Sequence, residues 1–245
     1  MTEVLAVERV SRRSGGVWAL RDVSFTVRHG QIVGLVGPNG AGKTTLFNVL
    51  VGLSRPSAGT VRLEGRDIGG LAPHRVCAAG MTKTFQNVAL FLEMSVLDNV
   101  LAGALLHHPL ATAREVAART LERVGLSGVA RATAGDLSFP ERARVELARA
   151  LCTQPRVLLL DEVMAALTHG EMSAMIALVR QLRDDGLTIL VVEHHMRAIM
   201  SLCDRILVLN FGSLIADGSP EQVVRDERVV TAYLGRAFTA ASRHA

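Results

Sequence analysis

The sequence predicts an α/β fold that has a parallel-sheet core, an N-terminal antiparallel β subdomain and a helical subdomain. A glycine-rich loop stands between an apolar strand and a helical run, and strands alternate with helices over residues 157–217, which is typical of a parallel sheet. Residues 87–153 are instead rich in Ala, Leu, Glu and Arg, and we expect them to form a helical insertion. The 245 residues are therefore predicted to form a single domain, with a core at 1–86 and 154–235, the helical subdomain at 87–153, and a loose tail at 236–245.

The N-terminal part is predicted to be β-structure. Two valine-rich runs, residues 4–10 and 23–27, are separated by the adjacent glycines Gly15 and Gly16. Residues 31–36 carry Ile, Val, Leu and Val, which indicates a strand that is buried on both faces of a sheet. Further short strands are expected at residues 59–63 and 81–85.

Helices dominate the middle of the chain, and helices then alternate with strands. The middle helices are predicted at residues 96–106, 111–124 and 140–153. Later strands are predicted at 157–160, 188–192, 205–210 and 213–217, with helices at 171–185 and 196–202 between them. A closing helix is expected after Ser219, because Pro220 takes the first helical position and Gln222 the capping-box position.

The composition limits the classes of protein to which this chain can belong. With 49% hydrophobic residues the chain can bury a substantial core, but it has no apolar run as long as a membrane span needs. Its three cysteines are scattered, which favours a reduced, cytoplasmic setting over a disulfide framework. The net charge of +4 comes from arginines spread along the chain without interleaved aromatic residues, so we expect no nucleic-acid binding.

A phosphate-binding loop is predicted between the strand at 31–36 and a helix at 44–51. It matches the pattern G-x-x-x-x-G-K-[ST], in which glycines and the helix N-terminus let several backbone N–H groups point toward one anion. Lys43, one of only two lysines among 27 basic residues, is expected to reach the outer phosphates, and the hydroxyl of Thr44 to bind Mg²⁺. The predicted nucleotide-binding residues of the loop are Gly37, Pro38, Asn39, Gly40, Ala41, Gly42, Lys43, Thr44 and Thr45.

A second set of candidate residues stands at the ends of two apolar strands. Asp161 and Glu162 follow one strand, and ligands of open α/β sheets bind beyond the carboxyl ends of the strands. We expect Asp161 to face the Mg²⁺ shell and Glu162 to polarise a water molecule for attack on the γ-phosphate. His194 follows a second strand, and we favour it over His195 as the hydrogen-bond partner of the γ-phosphate.

These motifs resemble those of the ATPase subunits of ATP-binding-cassette (ABC) transporters, and the resemblance covers nearly the whole chain. Within that family the chain is most similar to the cytoplasmic ATPases of branched-chain amino-acid uptake systems. The segments that carry this narrower resemblance are KTFQNV at 83–88, LF at 90–91, EMSVLDNV at 93–100, VEH at 192–194, LNFG at 209–212 and AYLG at 232–235.

The resemblance implies roles for further residues and for partners. Gln86 would touch Mg²⁺ and sense the γ-phosphate, Glu162 would be the catalytic base, and His194 would be the switch histidine. The apolar segment after Gln86 would help to form a groove for a coupling helix of a membrane subunit. ATP with Mg²⁺ would be hydrolysed between two ATPase subunits, each of which closes the other's site with a signature resembling Leu-Ser-Gly-Gly-Gln.

The signature of this chain departs from the family pattern, since it reads Leu137, Ser138, Phe139, Pro140 and Glu141. Ser138 keeps its hydroxyl, but both glycines are replaced. Pro140 has no N–H group, so one backbone donor to the γ-phosphate is missing, and Glu141 adds a negative charge where a neutral amide is usual. We therefore expect the partner's site, which this signature closes, to turn over slowly or mainly to bind, and we favour a heterodimer.

Smaller departures accompany this one. Thr168 and His195 each stand where the family usually has Asp. The aromatic residue that often stacks on adenine has no clear counterpart in this chain. Ser14 occupies its expected position, and Trp18, the only tryptophan, is the candidate substitute.

The sequence therefore favours an ATP-binding and ATP-hydrolysing subunit of an importer for branched-chain or related amino acids, peripheral to the cytoplasmic face of the cell membrane. Its expected partners are transmembrane permease subunits, a second ABC ATPase subunit and, indirectly, a periplasmic or extracellular substrate-binding protein. Two alternatives stay open: a non-transport ABC ATPase, which would usually carry tandem units or long inserts, and a nucleotide-gated regulatory subunit that hydrolyses weakly. Urea, amides and other amino acids also stay open as the substrate.

Overall fold

The computed structural model describes residues 2–85 and 89–234, so the tail predicted at 236–245 lies outside the described residues. In chain order the strands are β1 (Glu3–Ser14), β2 (Val17–Arg28), β3 (Ile32–Val36), β4 (Ala58–Leu63), β5 (Arg66–Asp67), β6 (Met81–Lys83), β7 (Val157–Asp161), β8 (Thr188–Val192), β9 (Arg205–Asn210) and β10 (Ser213–Gly218). The helices are α1 (Lys43–Leu50), α2 (Pro73–Ala78), α3 (Val96–Ala104), α4 (Leu110–Arg123), α5 (Phe139–Cys152), α6 (His169–Asp184), α7 (Met196–Leu202), α8 (Pro220–Arg225) and α9 (Glu227–Leu234).

The strands form two sheets. The first is antiparallel, with the order β2-β1-β4-β5. The second has the order β10-β9-β3-β8-β7-β6, in which all neighbours are parallel except the edge pair β10 and β9. The central strands β3, β7 and β8 are buried at every position, which agrees with their predominantly apolar sequences.

The register of the parallel strands brings their carboxyl ends to one edge of the sheet. Leu35 of β3 lies opposite Val192 of β8, and Val192 lies opposite Asp161 of β7. The loop after β3, the residues after β8 and the end of β7 therefore meet at this edge, where ligands of such sheets bind.

Three apolar clusters hold the layers together. The first lies between the two sheets and includes Leu35 of β3 and Phe47 of α1. The second covers the opposite face of the parallel sheet, where Leu158 of β7 packs in one cluster with Val179 of α6. The third lies within the helical insertion, among α3, α4 and α5. Within the described part of the chain, no helix has both the length and the apolar character to span a membrane.

The structure departs from the predicted elements in four main places, apart from the two-residue strand β5, which is absent from the prediction. β1 and β2 run on until Ser14 lies opposite Val17, because the two strands form one continuous hairpin. β6 stops at Lys83 rather than at residue 85, since the N–H of Phe85 bonds to the Glu146 carboxylate instead of to a strand. The helix α2 is absent from the prediction, and it buries only Val76, so it leaves little hydrophobic periodicity to detect.

The fourth departure is in the closing helix. It begins as predicted, with Ser219 as the N-cap and Gln222 completing the capping box. It is divided into α8 and α9, however, because Asp226 has an extended backbone and its carboxylate accepts the N–H of Arg228.

Candidate nucleotide site

The predicted phosphate loop lies between β3 and α1, and its backbone requires glycine. Gly37, Gly40 and Gly42 have φ values of 155°, 77° and 109°, which L side chains rarely adopt. A Cβ atom on Gly37 would lie 2.2 Å from the carbonyl oxygen of Leu209, and one on Gly42 would lie 2.7 Å from that of Ala19. The neighbouring strands therefore fix the shape of the loop.

The Lys43 ammonium is held against the phosphate loop. The side chain is largely buried, and Nζ donates to the carbonyl oxygens of Gly37 at 2.7 Å and Pro38 at 3.2 Å. Burial lowers the pKa of Lys43, and the charges of Glu162 and Asp161 oppose that shift. Lys43 is thus a preorganised positive charge at the mouth of the loop, which suits the outer phosphates of a nucleotide.

One open cavity of about 400 Å³ brings together residues of the predicted phosphate loop and the two residues predicted to act on the γ-phosphate. It is lined by the phosphate loop on one side and by Glu162 and His194 on the other, with Ala19 of β2 at the margin. The loop residues that line it are Asn39, Gly40, Ala41, Gly42, Lys43, Thr44 and Thr45.

Glu162 and His194 contact each other in this cavity. Nε2 of His194 lies 2.6 Å from Oε1 of Glu162, within hydrogen-bond distance. Glu162 has a φ of 54°, a left-handed conformation that is uncommon for a residue with a side chain. The two residues that were predicted to act on the γ-phosphate from separate strands therefore form one unit.

Asp161 is buried at the end of β7 beside a second lysine. Nζ of Lys83 lies 3.4 Å from Oδ2 of Asp161 and 3.2 Å from Oδ1 of Asn48 in α1. Burial raises the pKa of Asp161, and the Lys83 ammonium partly offsets this effect. The ion pair fixes the Asp161 carboxylate next to the helix that follows the phosphate loop.

The oxygen donors available here suit Mg²⁺. Thr44 offers a hydroxyl and Asp161 a carboxylate, while Gln86, the third predicted ligand, lies outside the described residues. Among residues 2–85 and 89–234, no three His, Cys, Asp or Glu side chains gather into a metal-binding group. Mg²⁺ is usually held by one or two carboxylates together with substrate phosphates and waters.

The signature residues do not line this cavity; they form the start of α5. Ser138 is the N-cap, and its N–H and hydroxyl both donate to the Glu141 carboxylate, at 2.9 and 2.6 Å. These bonds lower the pKa of Glu141. Pro140 lies in the first turn, where its missing N–H costs the helix nothing. Phe139 is exposed and Leu137 is buried.

Trp18 is half-exposed on β2, next to Ala19 of the cavity. The Arg13 guanidinium lies 5.9 Å from the centre of the Trp18 ring, so this face of the indole already has a cation–π partner. Ser14 is exposed at the end of β1. Stacking of either region on adenine stays a prediction.

Three features of the site go beyond the sequence-based prediction. Lys83 has no predicted role at the site, although it is one of only two lysines. Glu141 is predicted to bring a negative charge near phosphate, whereas its carboxylate caps the helix, as its capping-box spacing from Ser138 indicates. The contact between Glu193 and the backbone of Met164 gave no local signal, because it joins two strand ends that are distant in sequence.

Comparisons with known proteins identify the family of the chain. The family described as ABC transporter matches residues 20–165, and the family described as branched-chain amino acid ATP-binding cassette transporter matches residues 213–239. The high-affinity branched-chain amino acid transport ATP-binding protein BraF of Pseudomonas aeruginosa is 40% identical, over 96% of this chain and 98% of its own length. The lipopolysaccharide export system ATP-binding protein LptB of Haemophilus influenzae is 36% identical, over 96% of this chain and 98% of its own.

The fold has the same relatives. A solved ATP-binding cassette of an ABC transporter in its ADP conformation superimposes with a TM-score of 0.88 at 31% sequence identity, covering 96% of this chain and all of the other. The predicted fold class and the predicted family are both confirmed. The chain is an ATP-binding and ATP-hydrolysing subunit of the ABC transporter family.

Proposed function

We propose that this chain powers an importer of branched-chain or related amino acids from the cytoplasmic face of the membrane. The observation that carries its ATPase role is the single cavity in which the phosphate loop, Lys43, Glu162 and His194 meet. The amino-acid substrate is supported by BraF, which is named for that transport, and by the family match at residues 213–239. The match to LptB keeps export of a different substrate as the alternative to be tested.

Binding of the nucleotide follows from the loop. The N–H groups of the loop and the start of α1 would cradle the phosphates, and Lys43 would neutralise the outer ones. Thr44, Asp161 and Gln86 are the residues that would hold Mg²⁺. The ion, when bound, would neutralise charge that develops on the phosphates during transfer.

Hydrolysis follows from the pair at the strand ends. The Glu162 carboxylate would accept a hydrogen bond from a water molecule and orient that water for in-line attack on the γ-phosphate. The 2.6 Å contact with His194 would hold the Glu162 carboxylate toward the cavity, and His194 is itself half-exposed toward the same space. A water molecule between Glu162 and the γ-phosphate would complete the reacting geometry.

Closure of the site would come from a second ATPase subunit, for which we propose a different chain. The signature that this chain offers has no N–H at Pro140, and its Ser138 hydroxyl is engaged by Glu141. Loss of one donor to a developing phosphate charge costs roughly 10²-fold in rate. A partner with an intact signature would therefore support rapid hydrolysis at this chain's loop, while the reciprocal site would turn over slowly.

Several exposed apolar side chains support a proposal for where membrane subunits bind. Phe91, Leu92 and Met94 are exposed between β6 and α3, and Phe85 is exposed at the end of β6. Clustered exposed apolar side chains of this kind usually mark an interaction site. We propose that this patch receives a coupling helix of a permease subunit, and that a substrate-binding protein outside the cell delivers the cargo.

The test is purification with the co-encoded membrane subunits and binding protein, followed by ATPase measurements in lipid vesicles. We expect branched-chain amino acids with the binding protein to stimulate hydrolysis, and a complex carrying Glu162→Gln to show no stimulation. Stimulation by urea or an amide alone would reassign the substrate. Genes for export components beside this one, with no binding protein, would contradict the importer.

A further inference from the structure

Glu193 is a buried carboxylate at the carboxyl end of β8 to which the mechanism above gives no role. Its side chain is 2% exposed. Oε1 accepts the backbone N–H of Met164 at 2.7 Å, whereas Oε2 has no hydrogen-bond partner within the described part of the chain. A buried polar atom left unpaired is uncommon in native proteins, so the placement of this carboxylate calls for an explanation.

Glu193 is the middle one of three consecutive residues that hold the segment containing Glu162. The carbonyl oxygen of Val192 accepts the N–H of Glu162 at 2.9 Å. Glu193 binds the N–H of Met164, two residues further on, and His194 binds the Glu162 carboxylate at 2.6 Å. The residues at the end of β8 therefore hold residues 162–164 through three contacts. Two are to the backbone N–H groups of Glu162 and Met164, and the third is to the Glu162 carboxylate.

Residues 162–164 need these restraints, because Glu162 has a left-handed backbone conformation with a φ of 54°. Such a conformation persists in a residue with a side chain only when its surroundings determine it. Met164 supplies one anchor through its fully buried side chain, and its N–H supplies the other. Without the bond to Glu193, the peptide after Glu162 would have one restraint fewer.

We infer that Glu193 is a positioning residue, whose carboxylate oxygen fixes the backbone at Met164 so that the Glu162 carboxylate stays aimed into the nucleotide cavity. The inference rests on the proposed role of Glu162 in hydrolysis. It assigns to Glu193 no contact with substrate; its effect passes through the backbone of residues 162–164.

Burial of the Glu193 carboxylate destabilises the fold, which agrees with its being kept for a positioning role. Burial raises the pKa of Glu193 to about 7, and the charge of Glu162 adds to this effect, while the Met164 and His194 backbone groups oppose it. An apolar residue of similar size would avoid the desolvation of this group. What such a residue cannot do is accept the N–H of Met164.

Two variants separate the hydrogen bond from the charge. Glu193→Gln keeps the length of the side chain and an acceptor oxygen but has no charge, whereas Glu193→Asp keeps the charge but is one methylene too short. In the assembled transporter we expect Glu193→Asp to lower kcat for ATP about 10-fold or more, since small misplacements of reacting groups are costly. We expect Glu193→Gln to stay within about threefold of the wild type, and the KM for ATP to change little in both.

A matched control removes a similar bond elsewhere. Oδ2 of Asp204 accepts the N–H of Ile32 at 2.8 Å at the opposite end of the sheet, so Asp204→Ala should affect thermal unfolding without a comparable fall in kcat. A Glu193→Asp enzyme with wild-type kcat, or a Glu193→Gln enzyme slowed as much as Glu193→Asp, would overturn the inference. Absence of hydrolysis in the wild-type complex would instead contradict the proposed function. In that case hydrogen exchange at the Met164 N–H still tests the contact: we expect protection to be lost in Glu193→Asp and kept in Glu193→Gln, and equal protection in both variants would overturn the inference.

Discussion

The helices α1 and α5 each begin at a predicted phosphate contact, but their N-termini are satisfied in different ways. α1 begins after Gly42, and it has neither a side-chain cap nor an acidic residue in its first turn. α5 begins after Ser138, and Glu141 in its first turn accepts both the N–H and the hydroxyl of that serine.

The difference gives a physical reason for the proposal that this chain binds a nucleotide well and closes its partner's site less well. A helix N-terminus has several N–H groups without intrahelical partners, and an anion or a capping side chain can satisfy them. At α1 these donors are left for phosphate, whereas at α5 the chain's own carboxylate takes the place of an anion. Helix stability and phosphate binding thus compete at α5 and do not compete at α1.

The most severe way to break the α1 site is Glu162→Gln. We expect hydrolysis at this chain's own site to fall about 10²- to 10⁴-fold, because the amide is a poor base for water. ATP affinity should stay close to that of the wild type, since the phosphate loop and Lys43 are unchanged. Single-turnover hydrolysis and equilibrium binding of ATP check this, and substantial residual hydrolysis would place the base at another residue.

Pro140→Gly tests the N-terminus of α5 as a phosphate contact for the partner's site. It restores one backbone donor at the start of α5, so we expect hydrolysis at the partner's site to rise, by roughly 10²-fold at most. The change is best measured in the Glu162→Gln background, where this chain's own site is silent. An unchanged ATPase rate of the assembled transporter would count against the idea that the signature limits the reciprocal site.

Glu146→Gln sharpens the comparison within α5, because Glu141 is half-buried and Glu146 is buried on the same helix. Burial raises the pKa of Glu146 from 4.5 to about 7, against the opposing bond from the Phe85 N–H. The folded state therefore binds this proton more tightly than the unfolded state, and its stability falls as pH rises from about 4.5 to about 7.

Removing the Glu146 charge should abolish this loss of stability at high pH. We expect Glu146→Gln to raise the free energy of unfolding at pH 8 by on the order of 2 kcal/mol, and by little near pH 4.5. Urea unfolding at the two pH values measures the difference. Glu141→Gln is the matched control: the pKa of Glu141 is lowered rather than raised, so that variant should show no gain at pH 8.

Local patterns predicted the parts of the site that depend on local geometry. The phosphate loop, Asp161 and Glu162 at one strand end, and the capping box at Ser219 each follow from short stretches whose shape is set by neighbouring residues. The roles of Gln86 and the heterodimer stay predictions, since the first lies outside the described residues and the second depends on another chain.

Contacts between elements that are distant in the chain could not be predicted from the sequence. Lys83 meets Asp161 only because β6 pairs with β7, and Glu193 reaches Met164 only because β7 pairs with β8 in one particular register. A shift of that register by one residue would turn these side chains to the other face of the sheet. Such contacts are properties of the assembled sheet.

The scarcity of lysine gives the chain an unusual chemical selectivity. Its only two side-chain amines, Lys43 and Lys83, are both buried beside Asp161, and burial lowers the pKa of Lys43. A lower pKa increases the fraction of neutral, nucleophilic amine at a given pH. Among the side-chain amines, an amine-directed reagent small enough to enter the nucleotide cavity would therefore reach Lys43, and bound ATP would protect it.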